Sequence, residues 1–263
     1  VQQLDSLPIP AWELFDTSKY KVPLFGKKFL LVETARGCPY SCGFCVVPLT
    51  HGNKVREKSV PRIMDEILYL RKRFGTSFFY FWADTAVLNK ESISELCEAI
   101  MEKAPGIEWI SNTRPEIVRD TEFAKKLRAA GCRMLSMGAE SGDAATLDKM
   151  RKRLNIDNLR QSVSSLRTAG IRSFVFFIFG YPGETEETMQ STLKLAIKLD
   201  PDYANFYPAV PYPGTPLWQS CKENNTLLSS DWAHVDFTDY IINSPGLSRA
   251  QVMEMVRSAR RRF

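Results

Sequence analysis

Three cysteines, Cys38, Cys42 and Cys45, stand at C-x3-C-x2-C spacing directly after the apolar run Phe29-Leu30-Leu31-Val32. Three thiolates in one short loop can hold three irons of a [4Fe–4S] cube and leave the fourth iron open, where a small molecule can be bound and reduced. Structural zinc asks for four protein ligands, and no second Cys/His pair lies at finger-like spacing. A disulfide framework suits a small secreted chain, and a ferredoxin-type carrier needs a fourth cysteine per cluster. The spacing therefore points to a cluster with one free corner. Cys97, Cys132 and Cys221 fall in or beside apolar patterns and read as buried thiols, while His51 and His234 read as isolated.

A loop of this kind needs a frame. Short apolar runs at 29–35, 77–83, 107–112, 132–138, 173–180 and 203–210 alternate with longer amphipathic segments at 59–74, 91–103, 120–130, 143–152, 155–169, 185–199 and 216–224. In 59–74, Ile63, Ile67, Leu70 and Phe74 recur at helical spacing behind an N-cap at Ser59 and Pro61 in the first turn. The run Phe174-Val175-Phe176-Phe177-Ile178-Phe179 is nearly continuous hydrophobe, as suits a parallel strand buried on both faces. Alternating strands and helices imply parallel pairing with right-handed crossovers. The expected fold is α/β, a partial (β/α)6 TIM-type barrel with its helices outside; an open doubly wound sheet is the alternative. In either, ligands gather at the C-terminal ends of the strands, where the cysteine loop sits.

The 263 residues are 44% hydrophobic and 25% charged, ordinary for a globular chain. The net charge of +5 is too small and too scattered to argue for nucleic acid. No apolar run reaches membrane-spanning length, and the cysteine usage suits a reducing, cytoplasmic interior. Residues 1–26 read as a proline-punctuated linker, 27–225 as the barrel core, and 226–263 as an extension with Trp232, Phe237 and Tyr240 and a last helix from Ser248. The chain is expected to be part of a longer polypeptide.

The cysteine triplet, with Phe44 before its last member, resembles the signature of the radical S-adenosylmethionine (SAM) superfamily. Met137-Gly138-Ala139-Glu140-Ser141-Gly142, Gly180-Tyr181-Pro182-Gly183-Glu184-Thr185 and Pro211-Tyr212-Pro213-Gly214-Thr215-Pro216 look like family segments after strands four, five and six. The opening Leu7-Pro8-Ile9-Pro10-Ala11-Trp12 is similar to the linker after a cobalamin-binding domain in the B12-associated branch, which includes C-methyltransferases and the anaerobic bacteriochlorophyll cyclase. The resemblance implies that the open iron chelates SAM and that an electron through the cluster cleaves the sulfonium C–S bond, giving methionine and a 5′-deoxyadenosyl radical. It also implies a low-potential electron donor of flavodoxin or ferredoxin type. Any cobalamin would be bound by a domain outside this chain.

The same resemblance gives roles to four further residues, each with a plainer alternative. Asp84, closing strand two, would steady SAM's amino group, or is a turn or N-cap aspartate. Glu140, among glycines at the end of strand four, would reach a ribose hydroxyl or an ammonium, or faces a helix dipole. Arg114, after strand three, would neutralise the SAM carboxylate through its fork, or is a surface ion-pair partner. Phe44 would lend its backbone to the adenine edge, or its ring plugs the barrel. Tyr40, Trp82, Tyr207 and Tyr212 line the substrate side or belong to the core.

The expected activity is radical SAM chemistry, with cobalamin-dependent C-methylation of an unactivated carbon first. A radical oxidative cyclase, a rearrangement enzyme or a methylthiotransferase comes second, and a non-catalytic Fe–S electron carrier third. The substrate is a small molecule, lipid or natural-product scaffold, its identity set by rim loops.

Overall fold

The computed structural model describes residues 2–85, 87, 89–229, 231 and 235–263. Trp232 and His234 lie outside the described residues. Six strands form one sheet: β1 Leu30–Glu33, β2 Phe78–Trp82, β3 Glu108–Asn112, β4 Cys132–Glu140, β5 Arg172–Phe179 and β6 Tyr203–Pro208. They lie side by side in chain order, every neighbouring pair parallel. The first and last strands are not paired with each other, so the barrel is partial, as expected.

Among the described residues, eight helices longer than the single turn Val47–Thr50 link or follow these strands. They are α1 Val60–Phe74, α2 Lys90–Lys103, α3 Thr121–Ala129, α4 Ala144–Lys149, α5 Ile156–Ala169, α6 Glu186–Leu199, α7 Pro216–Glu223 and α8 Arg249–Arg262. The Ser59 side chain accepts from the Arg62 N–H, the N-cap its position predicts. Several boundaries moved. The first strand stops at Glu33, and Ala35–Arg36 pairs instead with Arg56–Glu57 in a separate antiparallel ribbon. Helix α4 is shorter than expected, because Arg151 and Arg153 adopt left-handed backbone at φ 54° and 48°.

The sheet has two unlike faces. On β5, Val175, Phe177 and Phe179 are fully buried under the helices, whereas Phe174, Phe176 and Ile178 on the concave face are half-buried. The hydrophobic run is thus continuous for a reason other than burial on both faces. The N-terminal end of the barrel is stoppered by the ribbon Lys21–Val22/Lys27–Lys28, whose Val22 packs with Phe78, Ile110 and Met134. The Phe25 ring lies 5.2 Å from that of Phe78. Chemistry is left the other end.

The segment before the sheet is docked. Leu4 is buried, and the Asp5 carboxylate accepts from the Ser59 N–H at 2.9 Å. At the far end of the chain, the buried Tyr240 hydroxyl donates to the Gly180 carbonyl at 2.7 Å. Helix α8 buries Val252, Val256 and Ala259, and its Arg260 guanidinium donates to the Phe206 carbonyl of the edge strand β6. That occupies a group an open sheet edge would otherwise expose. No described helix is long and apolar enough to cross a membrane.

Candidate active site

The backbone of the cysteine loop is held in place by four hydrogen bonds. Its base is the Ala35–Arg36/Arg56–Glu57 ribbon. Gly37 follows at φ +92°, where a Cβ would run into the Lys54 carbonyl, so only glycine fits. The Gly37 N–H donates to Asp84 Oδ2 at 2.6 Å, and the Cys38 N–H to the Gly52 carbonyl at 3.2 Å. Further along, the Gly43 N–H donates to the Met150 carbonyl and the Gly43 carbonyl accepts from the Leu217 N–H, both at 2.8 Å. Phe44 packs half-buried against the main core, consistent with a plugging ring.

Cys38, Cys42 and Cys45 are all free thiols and half-buried, while Cys97, Cys132 and Cys221 are buried as expected. The Thr85 hydroxyl lies 3.7 Å from Cys38 Sγ, and the Val47 N–H points at Cys45 Sγ from 3.5 Å. Burial pushes the Cys42 thiol up, against the pull of the Lys152 ammonium and the Arg114 guanidinium. Burial likewise raises Cys45, opposed by the Val47 N–H. Such thiols lose their protons to a bound metal rather than to water. The nearby cations suit the negative charge that three thiolates bring. Among the described residues no three His, Cys, Asp or Glu side chains converge on a single-metal site. A cubane gives each thiolate its own iron and does not need that convergence.

Glu140 owes its position to a bulge. The β4–β5 register shifts between Gly138 and Glu140, and Glu140 sits at φ +65°. Its side chain folds back across Gly138, where any Cβ would collide with Glu140 Oε1. The carboxylate, in a residue only 6% exposed, meets Lys152 Nζ at 2.7 Å. Lys152 is a residue that sequence reasoning missed. It lies in the run Arg151-Lys152-Arg153, which hydropathy reads as solvated. Nothing in that run says which cation turns inward; the left-handed residues on either side of Lys152 decide it.

Asp84 holds the loop. Besides the Gly37 N–H, its carboxylate pairs with His51 Nδ1 at 2.9 and 3.0 Å. His51 is therefore not isolated: thirty-three residues from Asp84 in sequence, it is fixed beside it by the loop. Arg114 is no surface ion-pair partner either. At 6% exposure it pairs with Glu116, donates to the carbonyls of Lys152 and Arg153 at 3.3 Å, and lies 3.7 Å over the Tyr40 ring. It braces the loop against the turn that carries Lys152. Of the other aromatics, Trp82 is 44% exposed, and Tyr207 and Tyr212 are half-buried beside Phe237.

Residues 32–196, more than half of the chain, match the family model described as Radical SAM superfamily. The chain belongs to the radical SAM superfamily. A [4Fe–4S] cluster and SAM are the cofactors of that superfamily, and the three thiols of the loop suit the cluster. This radical SAM chain is 32% identical over 259 residues to "Uncharacterized methyltransferase PH0819" of Pyrococcus horikoshii, covering 98% of this chain and 56% of the relative. It is 28% identical to the anaerobic magnesium-protoporphyrin IX monomethyl ester cyclase of Cereibacter sphaeroides, covering 100% of this chain and 43% of the relative. The chain thus spans about half the length of the curated relatives it matches. The radical SAM methyltransferase TsrM of Kitasatospora setae, solved with cobalamin and a [4Fe–4S] cluster bound, superposes with a TM-score of 0.68 at 23% identity. That superposition covers 78% of this chain and 39% of TsrM. At that identity the likeness speaks for the fold.

Proposed function

We propose that this chain is the catalytic core of a radical SAM enzyme that methylates an unactivated carbon with the help of cobalamin. The observation that carries the reading is the loop of three free thiols at the C-terminal rim of the barrel, faced by the Lys152 and Arg114 cations. The relatives named as methyltransferases support the methyl-transfer part. With cluster and SAM bound, the cofactors supply reductive cleavage of the sulfonium to a 5′-deoxyadenosyl radical.

The protein's part is to bind, orient and exclude water. Cys38, Cys42 and Cys45 hold the cluster, and the Phe44 backbone meets the adenine edge. The Glu140–Lys152 pair offers an acceptor and an ammonium side by side, matched to the zwitterionic methionyl end of SAM. Asp84 and Arg114 serve the same cofactor from within the hydrogen bonds that fix the loop. In this reading residues 27–225 are the core, 1–26 lead into it, and 226–263 extend it. Cobalamin comes from a domain outside these 263 residues, and electrons from a low-potential flavodoxin- or ferredoxin-type donor in the cytoplasm.

Anaerobic reconstitution of the full-length protein with SAM, cobalamin and reductant is expected to yield both S-adenosylhomocysteine and 5′-deoxyadenosine. 5′-Deoxyadenosine alone would sink methylation and favour the cyclase-like second reading, which the Cereibacter sphaeroides relative supports. Neither product from an iron-loaded protein would leave an electron carrier.

A further inference from the structure

We propose that the concave face of β5 and β6, continued by Phe237 and Tyr212, is a wall for binding a flat, uncharged ring scaffold in the substrate. The inference rests on the radical SAM reading above and deepens it by naming the substrate class. Strand alternation puts Phe174, Phe176 and Ile178 of β5 on this face, with Tyr203, Asn205 and Tyr207 of β6 beside them in parallel register. The lowest pair, Phe174 and Tyr203, already packs into the stopper at the barrel floor. Above it, among the described residues, Phe176 and Tyr207 are half-buried.

Phe176 lies 6.2 Å from Tyr207, Tyr207 lies 4.7 Å from Phe237, and Phe237 lies 5.9 Å from Tyr212. Phe237 is 47% exposed at the end of this run. Trp82 shares the concave face of β2 with Tyr80, which packs on the floor cluster two residues earlier. The hydrophobic core of this region is built by other side chains, Val175, Phe177, Phe179 and Phe206, all on the opposite face. The upper concave rings, Phe176, Tyr207 and Phe237, thus stand outside the buried clusters. Uncovered apolar surface of this kind gains free energy when a ligand covers it.

Charge narrows the class. Arg172, stacked on Phe25 and Tyr203 at the floor, is the last acidic or basic side chain on this face of β5 and β6. The cations nearest the upper wall are already engaged: Lys152 with Glu140 beside Gly138, the register partner of Phe176, and Arg260, near Tyr207, with the Phe206 carbonyl. A phosphate or carboxylate buried against the wall would have to compete for them, and an ammonium would meet them as like charges. Shape narrows it further, because tilted rings 4.7 to 6.2 Å apart offer faces and edges for stacking. One polar handle is available. Asn205 Nδ2 donates to the Tyr207 hydroxyl, leaving the Tyr207 proton free to bond an acceptor on the scaffold.

The test uses the full-length, cluster-loaded protein and three probes: 1-pyrenemethanol (flat and neutral), 1-hexadecanol (neutral, flexible) and pyrenetetrasulfonate (flat, charged). The proposal expects 1-pyrenemethanol to bind, read by its fluorescence, with the other two at least tenfold weaker. Phe176→Ala and Tyr207→Ala should each weaken pyrenemethanol at least tenfold. Phe176→Leu, which keeps volume without a ring face, should weaken it at least threefold at unchanged iron content and Tm. Equal binding of hexadecanol or of the sulfonate overturns the proposal, as does wild-type affinity in Phe176→Leu. Stoichiometric displacement of the probe by hydroxocobalamin also overturns it, giving the wall to the corrin. 5′-Deoxyadenosine formation by the wild type under dithionite is read in parallel. Its absence counts against the radical chemistry, whereas its presence with no probe binding counts against the wall alone.

Discussion

The first four strands and the last two finish differently. β1 ends at Glu33, paired with Arg36, and β2 runs into Asp84, paired with His51. β3 runs into Arg114, paired with Glu116, and β4 ends at Glu140, paired with Lys152. β5 and β6 run instead into Gly180-Tyr181 and Ala209-Val210, with no acid or base within two residues. Buried charges cost several kcal/mol each to desolvate and survive only with partners, so the polar half is a set of fixed pairs. Apolar rings carry no such penalty and can stand half-open until covered. One half of the rim thus carries fixed charge pairs around the thiols, and the other presents half-open aromatic rings.

The contrast is broken most completely at the cysteines. Cys38→Ser, Cys42→Ser or Cys45→Ser should each abolish cluster binding and SAM cleavage, measured as iron per chain and 5′-deoxyadenosine. Cys97→Ala, on the buried face of α2 rather than at the rim, should keep its iron. Next comes the buried pair. Lys152→Met leaves Glu140 buried without its cation and should cost ~3–5 kcal/mol in urea unfolding. Adding Glu140→Gln should recover most of that loss, whereas full additivity would mean the two do not act as a pair.

The β5 side has a buried acid too, deeper in its turn. Glu184 accepts from the Tyr181 N–H at 2.9 Å, yet burial outweighs its hydrogen bonds and pushes its pKa up to about 7 from 4.5. A carboxyl raised in this way favours the folded state below its unfolded pKa and loses that contribution as pH rises through the folded one. Stability should therefore fall by ~3 kcal/mol between about pH 4.5 and 7 on this account. Glu184→Gln should flatten that part of the pH–stability curve, and an unchanged curve would show that the acid is well solvated. The smallest effect belongs to the aromatic wall. Phe237→Leu, at a half-exposed ring, should move stability by no more than ~0.5 kcal/mol. A core-sized loss there would mean that the ring supports folding.

Much of this rim was legible from the chain. The cysteine spacing, the six strands and the Ser59 cap are local patterns, and each has its counterpart in the structure. The bracing was not. Asp84 meets Gly37 across forty-seven positions, and Arg114 reaches the Lys152 carbonyl across thirty-eight. No periodicity records such pairings. The bulge that re-aims Glu140 was also hidden, because Gly138-Ala139-Glu140 reads equally well as a regular strand end.

By itself, the sequence determined which atoms are available: three thiols in one loop, a parallel α/β frame, and a rim where the two meet. Those depend on spacing and on hydrophobic alternation, which act over a few residues. Tertiary structure alone decided which of three consecutive cations turns inward, that His51 has a partner, and that one face of a uniformly apolar strand stays half-open. Burial and charge pairing are set by what lies opposite in space, and the order of residues along the chain does not carry that.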